Sequence, residues 1–134
     1  MLALKSAVPS HVLEQPDVAI RAEHLFRERK DIGRLLNIFG NTGIARRYSC
    51  VPIDWYAEQH GWIERTKLYV GNAVDLLEKV ALSLLAEAGL ATDDIDTIVV
   101  SSTTGIATPS LDALMVERLQ LRRDIQRLPI FGLG

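Results

Sequence analysis

Residues 97–110 read TIVVSSTTGIATPS. The opening TIVVSST (97–103) is rich in β-branched residues and lacks polar alternation, a pattern that predicts a strand covered on both faces, as in a parallel sheet. TGIATPS then breaks the strand as a loop. Thr108 and Ser110 are both candidate helix N-caps, and Pro109 suits a first helical turn. LDALMVERLQL (111–121) has helical spacing, and IQRLPIFGLG (125–134) returns as a last apolar strand.

Working outward, the strongest periodicity predicts a helix from about Ile63 to Ala88. Ala73, Leu77, Val80, Ala81, Leu84 and Ala88 follow the three- and four-residue steps of a buried stripe. Leu76, Leu82 and Leu85 widen the apolar face, so cover on more than one side is expected. Asp75 and Lys79 are placed to pair on the outside. Gly89 supplies a left-handed residue after the last turn, with Leu90 folding back on it. Asp93-Asp94 reads as the cap of a short helical turn.

Upstream, LALKSAVP (2–9) reads as a strand. DVAIRAEHLFRERK (17–30) reads as a helix with Val18, Ala22, Leu25 and Phe26 on one face. DIGRLLNIF (31–39) reads as a second short helix, GNTG (40–43) as a turn, IARRYSCV (44–51) as a strand, and residues 53–62 as irregular helical turns. Trp55 and Trp62 are expected to pack against neighbouring helices. Strands alternating with helices predict an α/β fold with at least partly parallel pairing.

The chain has 134 residues, 48% apolar and 24% charged, with a formal net charge of −2. That composition suits one globular domain, and the scattered cations form no footprint for nucleic acid or an anionic membrane. No apolar run approaches a membrane span, and the start is too short in apolar residues for a signal peptide. Cys50 is the only cysteine, which rules out an internal disulfide and favours the cytoplasm. In RRYSCVP a lone cysteine is most often a small buried or edge residue. The alternative, a thiolate activated by Arg46 and Arg47, lacks a histidine partner at any telling distance along the chain. GNTG lacks the Lys-Ser/Thr of a phosphate loop, and no Cys/His cluster has metal spacing.

Three stretches together point further. TGIARRY (42–48), VVSSTTGIATPS (99–110) and LQLRRDIQRLPIFGLG (119–134) resemble the type III polyketide synthases, the chalcone and stilbene synthase family, especially its bacterial members. The resemblance implies a thiolase-like layered fold (αβαβα), of which residues 1–134 would be the N-terminal part of the N-terminal domain, in a homodimer. It implies that a nucleophilic cysteine follows Gly134, with histidine and asparagine much later, so that this chain carries no catalytic residue and is inactive alone. The two glycines of FGLG would let the backbone turn sharply ahead of that cysteine.

The implied chemistry takes coenzyme A thioesters as substrates, an acyl-CoA starter and malonyl-CoA, with no resident cofactor and no metal. By position in the family motifs, Thr103 and Thr104 would line the active-site cavity. Thr108 would stand where plant chalcone synthases have a methionine that reaches into the partner's cavity. Arg34 would match the first of three CoA-binding cations, with Asn37 and Asn41 where the other two would be. Plain alternatives are that the threonines are β-formers and a cap, and that Arg34 is a solvated surface residue. Arg46 and Arg47 could pair structurally or line the entrance. A β-ketoacyl synthase III-like enzyme of fatty-acid synthesis, and a non-catalytic α/β module that self-associates through uncovered strand edges, are the competing readings of the whole.

Overall fold

The structure is a computed structural model, and residues 2–132 are described. The chain divides into two compact units, residues 61–134 with 1–7 and residues 8–60.

The larger unit is built on two parallel strands, β3 (Thr97–Ser102) and β4 (Gln126–Phe131), in register from Thr97 opposite Gln126 to Ser102 opposite Phe131. Two further bonds extend the ladder: Gln126 N–H donates to Asp96 O at 2.9 Å and Gly132 N–H to Ser102 O at 3.3 Å. Pro129 sits within β4, a position open to proline only in an edge strand. Between the strands runs α4 (Leu111–Arg118), and before them α3 (Trp62–Ala88). Met115, Leu119, Leu121 and Ile125 form the buried core, and Val74, Leu77 and Ala81 of α3 and Ile98 of β3 pack against it.

Leu77 and Ala81 thus belong to the core as their spacing predicts, but the stripe turns toward Val74, and Leu82 is half exposed. Asp75 reaches α4 instead of Lys79: Arg118 donates to Asp75 at 2.9 Å and to Glu78 at 2.8 Å. A helix packed nearby offered a forked guanidinium, which binds two carboxylates at once. α3 ends as predicted, with Gly89 at φ 67° and Leu90 N–H donating to Leu85 O at 3.0 Å. Asp94 accepts the Ala91 N–H at 2.8 Å, capping a 3-10 turn at Thr92–Asp94.

Other expectations change in the larger unit. Residues 2–9 have no ladder partner among the described residues, although their exposure alternates as in a strand; alternation describes a strand, but only a neighbour makes one. β3 is parallel but covered on one face only among the described residues: Ile98, Val100 and Ser102 turn inward while Val99 is 56% exposed. α4 stops at Arg118 because Gln120 turns left-handed (φ 52°) and Leu121 N–H folds back to Val116 O at 3.0 Å, which sends Leu121 into the core. Pro109 precedes the helix, and the N-cap residue Ser110 makes no side-chain cap bond.

In the smaller unit, β1 (His11–Glu14) pairs antiparallel with β2 (Arg46–Ser49), and α1 (Gln15–Leu25) and α2 (Ile32–Asn41) lie between them in the chain. Gln15 is the buried knot. Its N–H donates to Ala45 O at 2.9 Å, its Nε2 to Phe39 O at 2.9 Å, and its Oε1 accepts from Arg47 Nε at 3.2 Å. Arg47 is therefore a structural tie. Arg29 binds Asp31 through two bonds of 3.0 and 3.1 Å, and this hydrogen bonding holds the Asp31 carboxyl below the usual carboxylate range.

A 3-10 turn (Ile53–Ala57) follows β2. Trp55 stacks on His60 at 3.7 Å between ring centres and meets Tyr56 edge-on. Trp62 is 67% exposed, against the expectation that both tryptophans pack on helices. The predicted face of α1 lines an open apolar groove, with Leu25 and Phe26 half exposed.

Met115→Ala is expected to lower stability by about 2–4 kcal/mol, because the side chain is the most enclosed of the core cluster; a urea unfolding series on wild type and variant checks this. Gly89→Ala is expected to cost about 1 kcal/mol for forcing a Cβ into the left-handed region, read in the same way.

Candidate functional site at the ends of the parallel strands

Parallel strands present their carboxyl ends on one side, where the connecting loops gather and ligands bind in open α/β sheets. β3 ends at Ser102 and β4 at Phe131, paired to each other, and residues 103–110 lead from β3 into α4. Here lies a cavity of about 100 Å³, walled by Val100 and Ser102 of β3, Ile130 and Phe131 of β4, the loop from Gly105 to Ala107, and Asp112 of α4.

Among the described residues Asp112 is the one charge enclosed there, 1% exposed. Its Oδ2 lies 3.4 Å from Arg127 Nη1, and its Oδ1 has no hydrogen-bond partner among the described residues. Two effects make a buried carboxylate tolerable at this point. It stands in the first turn of α4, where the helix dipole favours a negative charge, and Arg127 faces it from β4. A sequence signal existed: positions 112, 115 and 119 share one helix face, so an aspartate stood on a core stripe of methionine and leucine.

Tyr69 of α3 also borders the site. Its hydroxyl is hydrogen-bonded to the Ser102 hydroxyl, and its ring lies against Gly105. No motif marked it, although it stands one turn before Ala73 on the predicted stripe.

Thr103, Thr104 and Thr108 are all exposed, on the loop that borders the cavity but not among its lining residues. Arg34 is exposed on α2, in the smaller unit. Asn37 and Asn41 lie on the same helix, three and seven residues on, a spacing that puts all three on one face. Cys50 is half buried just after β2, and the histidines are all in the smaller unit. Among the described residues the cavity wall thus holds hydroxyls and one carboxylate but neither cysteine nor histidine. Among the described residues no three His, Cys, Asp or Glu side chains gather as a metal site, and no helix is long and apolar enough to cross a membrane.

Comparison with known proteins agrees with this architecture. The chain superimposes on 1,3,6,8-tetrahydroxynaphthalene synthase from Streptomyces coelicolor, a bacterial type III polyketide synthase. The TM-score is 0.87 at 28% identity, over 95% of this chain and 36% of that one. Germicidin synthase from the same organism superimposes with a TM-score of 0.82 at 22% identity, covering 94% of this chain and 41% of the other. The fold is therefore the α/β, thiolase-like fold of these polyketide synthases.

The sequence profile of the FAE1/type III polyketide synthase-like proteins matches residues 23–134, and the chain belongs to that family. Among curated relatives, the 1,3,6,8-tetrahydroxynaphthalene synthase of Streptomyces peucetius is 32% identical over 98% of this chain and 35% of its own length. The phloroglucinol synthase of Pseudomonas fluorescens is 29% identical over 94% and 36%. The chain spans about a third of the length of the curated relatives it matches.

Arg127→Met should leave the Asp112 carboxylate buried without its countercharge. The expected loss is about 2–3 kcal/mol, below the ~3–5 of a fully enclosed pair because Arg127 is partly solvated; urea unfolding of the variant against wild type measures it.

Proposed function

We propose that this chain is part of an acyltransferase that condenses an acyl-CoA starter with malonyl-CoA by decarboxylative Claisen condensation. What supports the reading is the STTG loop at the carboxyl ends of two parallel strands, beside the cavity, in a chain of this family. The acyl group would be carried as a cysteine thioester. A cysteine at a helix N-terminus, paired with a histidine, is nucleophilic as its thiolate. Loss of carbon dioxide from malonyl-CoA leaves an enolate, which needs hydrogen-bond donors where its charge develops. The carbanion then attacks the thioester carbonyl, the C–S bond to the cysteine breaks with release of its thiolate, and the acyl chain, two carbons longer, is left on CoA.

In this proposal residues 1–134 are the N-terminal part of the catalytic domain and supply wall rather than nucleophile. Thr103 and Thr104, exposed on the loop, would face substrate, and Thr108, exposed as well, would reach toward a second subunit of a homodimer. Arg34 meets a CoA phosphate, a task suited to its planar, permanently charged fork. The enzyme works in the cytoplasm with free CoA thioesters and no resident cofactor. Relatives of nearly equal identity are named for different products, tetrahydroxynaphthalene and phloroglucinol, so the product is left unassigned.

The test is CoA release. The full-length protein is expected to liberate CoA from an acyl-CoA with free malonyl-CoA, and the 134-residue chain alone to liberate none. A requirement for malonyl carried on acyl carrier protein would overturn the reading in favour of a β-ketoacyl synthase of fatty-acid synthesis.

A further inference from the structure

Tyr69 touches both ends of the Thr103–Thr104 bend. Its hydroxyl is hydrogen-bonded to Ser102 Oγ, on the last residue of β3. Its ring covers Gly105 so closely that a Cβ built there would lie 2.7 Å from Cδ1, 2.8 Å from Cε1 and 3.0 Å from Cγ. Real Cβ atoms do not approach aromatic carbons so closely, so a side chain at 105 and the tyrosine ring cannot both keep their places. The demand for glycine in this STTG is steric: Gly105 is not among the glycines with positive φ. Ser102 is itself held through its backbone, whose carbonyl accepts the Gly132 N–H at 3.3 Å.

We propose that Tyr69 is a positioning residue, a clamp from α3 that fixes the Thr103–Thr104 bend and with it one wall of the substrate site. The hydroxyl pins the strand end and the ring seats the glycine. The two exposed threonines lie between these two anchors. The catalytic consequence rests on the polyketide synthase reading; the clamp does not.

The experiment uses the full-length protein with Tyr69→Phe, Tyr69→Ala, Gly105→Ala and the double variant Gly105→Ala/Tyr69→Ala. The first readout is amide hydrogen exchange over residues 103–107. Tyr69→Phe keeps the ring and is expected to speed exchange about fivefold, the worth of one ordinary hydrogen bond. Gly105→Ala is expected to speed it about tenfold or more through overpacking. The double variant is expected to return to the level of Tyr69→Ala, since the ring that collides is gone. Unchanged exchange in Tyr69→Phe, together with no rescue in the double variant, would overturn the clamp. The second readout is kcat and KM for CoA release. Variants with faster exchange are expected to lose kcat with little change in KM, and unchanged kinetics beside altered exchange would refute the positioning role. A wild-type protein that releases no CoA, with the exchange pattern intact, would sink the polyketide synthase reading and leave the clamp standing.

Discussion

The parallel pairing of β3 with β4 is the constraint from which the rest of the larger unit follows. Parallel strands cannot be joined by a tight turn, so the chain must leave the end of β3, cross one face of the sheet and re-enter at the start of β4. α4 makes that crossing, and its inward face must be apolar for the full passage. Met115 and Leu119 meet the requirement, and the left-handed Gln120 lets Leu121 and Ile125 close the same cluster. The crossing also requires a loop from the end of β3 to the start of α4. That loop is residues 103–110, and the cavity lies where it passes beside the paired strand ends.

Two polar features interrupt this apolar logic, and both lie at the cavity. Asp112 takes a core position on α4 and, among the described residues, keeps one oxygen unpaired. Tyr69 brings a hydroxyl from α3 to the strand end and leaves Gly105 no room for a side chain. A buried carboxylate and a close ring–backbone approach both cost stability when their partners are lost. Departures from local rules of this kind tend to gather at functional sites. Neither feature is needed to make the helix or the strand that carries it.

Element type was largely legible. The α3 stripe, its glycine terminator, the apolar runs of β3 and β4, and the helices around residues 17–39 all follow from spacing and end signals that act over a few residues. Family membership was legible from three short motifs, and the fold came with it. Less legible were the features that depend on a neighbour: the missing ladder for residues 2–9, the open face of β3 at Val99, and the exchange of Lys79 for Arg118 as partner of Asp75. The candidate site divides the same way. Its loop was named from the motif, but the residues the fold gathers there are Ser102, Gly105 and Asp112, with Tyr69 behind them, and the exposed threonines lie beside the cavity.

The amino-acid sequence by itself determined the alternation of strands and helices, the glycine stop of α3, and the family, because these depend on backbone propensity, periodicity and local chemistry along one stretch of chain. Only the tertiary structure decided which face of β3 is covered, which acid Arg118 binds, and why position 105 has no side chain. Those outcomes are set by groups that lie far apart in the chain, as Tyr69 does from Gly105, and meet only when the helices pack onto the sheet.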